Sequence, residues 1–251
     1  LNAGDNVSVT STFSENVLVT NTPQLTLVVG ADNRTATYTS GSGGTTLVFQ
    51  YTIQAGEADS NGISIGANAI ALNSGTIKDA TGNNATLTHS AVSDNASYKV
   101  DTTAPTANFT KANDDEGTVR GDFTSDNTTD DTALVLSGTN ESGSSVMVYN
   151  GNAPLGTAIV SGTSWSYSAT VANGTTYQFN VKETDLAGNT SAATSNFAVT
   201  GDTTAPTVSS ISTTADNQSS VSITDNITVT FSEAIEPSYV TTSTSDTYCA
   251  G

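Results

Sequence analysis

Apolar and polar residues alternate along most of this chain. Val7 and Val9, then Leu25, Leu27 and Val29, then Leu47, Phe49, Tyr51 and Ile53 keep a spacing of two. Successive side chains of a strand point to opposite faces, so this spacing predicts half-buried strands. Turn clusters separate the runs. Gly30-Ala31-Asp32-Asn33 and Ser40-Gly41-Ser42-Gly43-Gly44 flank Arg34-Thr35-Ala36-Thr37-Tyr38, which predicts a hairpin or meander there. Residues 54–62 read as an acidic loop carrying Glu57, Asp59 and Asn61, and Ile63, Ile65, Ile70, Leu72, Ile77 and Leu87 complete a first core. No stretch repeats at helical spacing.

Beyond residue 106 the alternation resumes in different words. Strands are predicted at residues 133–137, 145–149, 156–160, 164–169, 176–181 and 195–199, after a polar acidic stretch at 113–131. Asn150-Gly151 and Asn173-Gly174 predict hairpins, because Asn-Gly tolerates the positive φ of a tight turn. Trp165 alternates with serines and reads as a core anchor.

One hexapeptide punctuates the chain. Asp101-Thr102-Thr103-Ala104-Pro105-Thr106 returns letter for letter as Asp202-Thr203-Thr204-Ala205-Pro206-Thr207, about one β-sandwich length later. Proline fixes its own φ and pushes the preceding residue toward extended geometry, so each copy reads as a short stiff connector. Three units follow: 1–101, with its first strand possibly missing, 102–202, and 203–251, the start of a third. The third echoes the first. Asp225-Asn226-Ile227-Thr228-Val229-Thr230-Phe231-Ser232-Glu233 repeats Asp5-Asn6-Val7-Ser8-Val9-Thr10 and then Phe13-Ser14-Glu15 with a two-residue offset. About two strands of chain are too few to bury a core alone. The third unit therefore reads as cut short, as packed on the second, or as a strand donor to another copy.

Composition narrows the partners. Six basic residues against 24 acidic ones give a net charge of −18. Nucleic acid and anionic membrane need clustered Lys and Arg, so both are disfavoured, while hard cations bound through carboxylate oxygens are favoured. The single cysteine, Cys249, has no internal disulfide partner, and no apolar run is long enough to span a membrane. Leu1 in place of an initiator Met reads as the start of a fragment, with any signal peptide lost upstream.

The wording resembles a known group. Leu136-Ser137-Gly138-Thr139, Trp165-Ser166-Tyr167 and Thr184-Asp185-Leu186-Ala187-Gly188-Asn189-Thr190-Ser191 are similar to the bacterial Ig-like repeats of large secreted adhesins. Thr12-Phe13-Ser14-Glu15, Arg34 to Tyr38 and Gln54-Ala55-Gly56 resemble a related repeat of such proteins. The resemblance implies an all-β fold of tandem immunoglobulin-like β-sandwich domains joined by short Pro-containing linkers. It also implies an extracellular place on a bacterial surface, calcium-rigidified, in adhesion and biofilm formation.

Three groups of oxygen-bearing residues are expected to meet at the junctions. The first is the pair Asp101 and Asp202. The second is an Asp-x-x-Gly-Asn loop upstream of each, Asp79 with Asn83 and Asp185 with Asn189. The third is Asp114 and Asp115 after Pro105, and Asp216 after Pro206. Ca²⁺ takes six to eight such oxygens, and an ion held there would tie each unit to its neighbour. The competing reading is that Asp-x-x-Gly-Asn is only a tight turn bonding its own backbone. Weaker candidates are Glu57, Asp59 and Asn61, and the run Asp122, Asp126, Asp130 and Asp131. His89, the only histidine, reads as a surface or packing residue, and no Gly-x-Ser-x-Gly elbow exists. The expected role is a structural extender whose partners are neighbouring repeats of the same chain. The alternatives are a subunit assembled by self-association through residues 207–251, and a direct carbohydrate- or protein-binding module.

Overall fold

The computed structural model describes residues 1–117, 120–213 and 227–235. Their regular structure is strands and one 3-10 turn at Ala96–Tyr98, whose start is capped by the Asn95 side chain. Helix-forming residues are scarce, while Val, Ile and Thr fit pleated surfaces.

The first unit contains β1 (Asn6–Thr20), β2 (Gln24–Val29), β3 (Asp32–Ser40), β4 (Gly44–Thr52), β5 (Ala58–Asp59), β6 (Ile70–Ala71), β7 (Thr76–Lys78) and β8 (Val100–Asp101). Six of them form one sheet in the order β6-β2-β3-β4-β1-β7, and β5 pairs with β8. The meander expected around residues 34–38 is β2, β3 and β4, each antiparallel to the next. The core holds Val7, Val17, Leu27, Leu47, Phe49, Ile53, Ile63 and Ile77. Most of these are the positions the alternation marked.

The second unit contains β9 (Asn108–Asp114), β10 (Gly121–Phe123), β11 (Asn127–Thr129), β12 (Ala133–Thr139), β13 (Ser145–Asn150), β14 (Ala153–Thr157), β15 (Ile159–Ser161), β16 (Ser164–Thr170), β17 (Thr176–Thr184) and β18 (Phe197–Gly201). Two five-stranded sheets, β10-β9-β12-β16-β15 and β11-β18-β17-β13-β14, enclose Leu134, Leu136, Val146, Val148, Trp165, Phe179 and Val181. Trp165 is 2% exposed and its indole N–H donates to Asn108 O at 3.0 Å. A buried Trp needs that partner.

Asn150-Gly151 does open a hairpin, from β13 to β14. Asn173-Gly174 does not. β16 pairs with β12 and β15, and β17 with β13 and β18, so the turn at 173–174 carries the chain from one sheet to the other. Gly174 (φ +69°) donates to Gly201 O instead of closing a ladder. The stretch 113–131, expected as an irregular acidic run, supplies the end of β9 and then β10 and β11.

Strand direction settles which residues reach which junction. β9 leaves the first hexapeptide and ends at Asp114, at the far end of the unit. β17 starts at that far end and returns, so the turn after it lies back at the first hexapeptide. In the third unit, β19 (Val208–Thr213) pairs antiparallel with β20 (Ile227–Phe231).

Candidate metal centres at the unit junctions

Both copies of the hexapeptide begin with the same local fold. Asp101 Oδ1 accepts from Thr103 N at 2.9 Å, and Asp202 Oδ1 accepts from Thr204 N at 3.1 Å. This Asx turn commits one carboxylate oxygen and leaves the other for a further partner. The first connector is also strapped to the unit it leaves. Thr102 Oγ1 donates to Glu57 O and accepts from Gly56 N, both at 2.9 Å. The second is held by Asn173, whose Nδ2 donates to Thr204 Oγ1 at 2.9 Å and whose Oδ1 accepts from Thr203 N at 2.8 Å.

At the first junction the following unit reaches back. Asn189 Nδ2 donates to Asp101 O at 2.8 Å. Asn189 is positioned by Asp185, whose Oδ1 accepts from Asn189 N and Oδ2 from Asn189 Nδ2, each at 2.8 Å. Burial works to raise the Asp185 pKa, but the Asn189 amide and the backbone N–H groups of Asn189, Gly188 and Ala187 outweigh it and lower it. The carboxylate is therefore charged near neutral pH. A cleft of about 270 Å³ joins Asp101, Glu141 and Asp185, with Lys99 on its rim.

Behind this cleft lies a residue that spacing alone did not single out. Glu183 falls on the same face of β17 as Phe179 and Val181 and is fully buried. Its Oε1 accepts from Glu141 N at 2.5 Å and from Ser144 Oγ at 2.6 Å. Among the described residues its Oε2 has no partner, and neither has Oδ1 of Asn140, a residue whose Nδ2 reaches Glu141 O at 2.7 Å and Ser144 Oγ at 3.2 Å. Two buried acceptors thus stand unpaired in one small network. An unpaired buried charge is costly, and a cation is the natural partner for such acceptors. The signal was legible: an acid at an inward position of a strand pattern.

The second junction gathers a comparable set. Asp114, Asp130, Asp202 and Glu233 line a cleft of about 440 Å³. Asp114 is held by Thr129, whose Oγ1 donates to Asp114 Oδ2 at 2.7 Å. Asp202 N donates to Thr129 O at 2.8 Å. Asp131 is 2% exposed; its Oδ1 caps Ala133 N at 2.7 Å, while its Oδ2 is unpaired. Glu233 Oε1, from the third unit, is buried and has no partner among the described residues.

The expected grouping is therefore re-sorted. Asp185 and Asn189 meet Asp101 and not Asp202, because β17 returns to the first junction. Asp114 meets Asp202 and not Asp101, because β9 runs away from the first junction. Asp115 is exposed and lines neither cleft. Asp79 and Asn83 lie on the flank of the first unit, beside a cleft of about 300 Å³ with Glu15 and His89. Asp79 is saturated within its own loop. Oδ1 accepts from Thr81 N and Asn83 N, and Oδ2 from Thr81 Oγ1 and Asn83 Nδ2. Those bonds, the Asn83 side chain foremost, bring its pKa down to about 2. There the tight-turn reading holds. Asp216 lies outside the described residues, as does Cys249.

The weaker candidates also find places. Glu57 and Asp59 are buried, not solvated. Glu57 accepts from Arg34, Tyr51 and Gln54 N, and Asp59 accepts from Gly30, Asn61 and Gly62 N–H groups, so both have protein partners in place of an ion. Asp122 pairs with Lys111 and Asn113. His89 Nε2 accepts from Ala69 N at 2.8 Å, which is a packing role. Among the described residues no three Asp, Glu, His or Cys side chains form a ready-made metal cage. Any ion at a junction would need amide and backbone oxygens beside its carboxylates. Among the same residues no helix is long and apolar enough to cross a membrane.

Two family models match parts of the chain. Residues 102–203 match one sequence family and residues 202–249 a second, each described as a bacterial Ig-like domain. No curated protein matches the chain. The matched residues, 102–249, thus carry bacterial Ig-like domains.

Proposed function

We propose that this chain is a structural extender of a bacterial cell-surface adhesin, and that calcium at its junctions holds successive units at fixed angles. The observation that carries this reading is the pair of unpaired buried oxygens, Glu183 Oε2 and Asn140 Oδ1, behind the cleft shared by Asp101, Glu141 and Asp185. The donor set is all oxygen and strongly anionic, which suits a hard cation of flexible coordination. At the first junction Glu183, Asn140, Glu141, Asp185 and Asp101 would hold the ion. At the second, carboxylates from among Asp114, Asp130, Asp202 and Glu233 would do so, with backbone oxygens completing the shell. A bound ion supplies charge neutralisation and a bond shared by both sides of a connector. The Asx turns, the Thr102 strap and the Asn173 clamp then limit what remains of the hinge. Length and stiffness are the product, and no unit needs a ligand of its own.

Calorimetric titration of metal-stripped protein with calcium tests this. Heat from binding is expected, with Glu183→Gln and Asp185→Asn each weakening the first-junction site by at least ~tenfold, about 1.4 kcal/mol. Asp114→Asn should leave that site unchanged and weaken the other. Titrations without heat in the intact protein would overturn the reading.

A further inference from the structure

We propose that the outer face of β13 and β17 carries a binding site for an acidic saccharide, with Lys182 as the group that meets the sugar carboxylate. This goes beyond the calcium reading, and the site shares no residue with either junction cleft. Phe179, Val181 and Glu183 face inward on β17, so Asn180 and Lys182 fall on its outer face. Tyr149 of β13 stands opposite Asn180, and Met147 opposite Lys182.

An outward Asn is ordinarily exposed, yet Asn180 is 4% exposed. The stretch before β18 covers it. Thr194 N donates to Val181 O at 3.0 Å, and Thr194 Oγ1 accepts from Val181 N at 3.1 Å, which fastens that stretch along the edge of β17. Asn180 Nδ2 then donates to Gly151 O at 2.8 Å and to Asn196 Oδ1 at 3.2 Å. Both its N–H groups are spent, so its orientation is fixed. Its Oδ1 has no donor among the described residues, and Asn180 lines a cleft of about 390 Å³ with Tyr149, Asn152, Lys182 and Asn196. That volume is in the range of small-ligand sites. Asn196, its Oδ1 taken, keeps its Nδ2 as a donor, and Asn152 and Tyr149 add an amide and a phenol. A fixed acceptor beside several donors calls for a ligand whose groups both give and take hydrogen bonds, as sugar hydroxyls do.

The charge of the cleft selects among sugars. The chain has six basic residues against 24 acidic ones. Arg34 pairs with Asp32 and Glu57, and Lys111 with Asp122. Among the described residues Lys182 has no carboxylate within ion-pair distance. Its Nζ lies 5.6 Å from the centre of the Tyr149 ring, a contact that steadies the ammonium without neutralising it. No Asp or Glu lines this cleft. An ammonium with no acid beside it is matched by a carboxylate, through a charge-assisted hydrogen bond. A neutral sugar would leave that charge unanswered, and a bare anion would leave Asn180 Oδ1 without a donor. A uronate sugar answers both.

The probe is a galacturonate trimer, with the galactose trimer as neutral control. Amide chemical shifts of the intact chain are followed in chelator, so no junction ion takes part and the outcome is independent of the calcium reading. The acidic trimer should move the signals of Asn152, Asn180, Lys182 and Asn196, and bind at least ~tenfold more tightly than the neutral one. Lys182→Met keeps the aliphatic stem and should abolish that preference, with Trp165 emission unchanged because the second core is untouched. No shift with the acidic trimer, an equal response to the neutral one, shifts confined to the junction clefts, or binding undiminished in Lys182→Met would overturn the proposal.

Discussion

A carboxylate at an inward position of a strand carries a large desolvation cost unless something compensates both oxygens. Glu183 has one oxygen bonded to Glu141 N and Ser144 Oγ and the other without a partner among the described residues. Its amide isostere separates the two explanations of that arrangement. Without calcium, Glu183→Gln replaces a buried oxygen that has no partner and should melt no lower than the intact protein. With calcium at ~100 times Kd, the intact protein should gain about 2.7 kcal/mol and the variant much less. Trp165 fluorescence reads this directly, since the only tryptophan lies in the second core. Glu57 is the contrasting case. Burial would raise its pKa, but bonds from Tyr51, Gln54 N and Arg34 outweigh that and lower it, while Tyr51 is pushed up to about 12 by burial and by Glu57. A carboxylate with a depressed folded pKa contributes stability that is complete above its unfolded pKa and fades as pH falls through the folded value. Urea melts of the first unit should therefore weaken on acidification below the ordinary Glu range. Glu57→Gln should cost about 2–4 kcal/mol at neutral pH and flatten that acid dependence. An unchanged acid slope in the variant would assign it to other groups.

At the scale of the element, β12 shows how closely the second sandwich is packed. A Cβ on Gly138 would sit 2.1 Å from Asn108 O and 2.7 Å from Trp165 Nε1. Gly138→Ala should destabilise the second unit by about 2–3 kcal/mol and shift Trp165 emission, leaving the first unit's melting unchanged. Much at this scale was legible. Period-two runs marked the strands from Leu25 to Ile53 and the core position of Trp165. Three things were hidden. β9 to β11 lie in a stretch rich in Asn, Asp and Thr, where propensity argues for loop and pairing with β12 and β18 decides otherwise. Asn173-Gly174 has hairpin chemistry but joins strands of different sheets, which only tertiary packing fixes. Proximity in sequence also misassigned the junction residues. Whether a loop serves the connector before or after it depends on which way its strand runs, and β17 runs backward to Asp101. Asp79 and Asp185 share one local motif and one hydrogen-bond pattern, yet only Asp185 reaches a junction.

For the whole molecule, a net charge of −18 over 251 residues sets neighbouring units against one another wherever carboxylates face across a connector. Monovalent salt screens that repulsion over about 8–10 Å without bridging it, whereas a coordinated divalent ion does both. Asp101→Ala with Asp185→Ala should abolish the first junction's calcium response and leave the second's, with each unit's own melting intact, because both residues lie outside the two cores. Small-angle scattering of dilute protein, in calcium and then in chelator at equal ionic strength, tests the junction claim most directly. A longer and narrower distance distribution in calcium, lost in chelator and diminished in the double variant, is the predicted result. Identical profiles in the two buffers would contradict it.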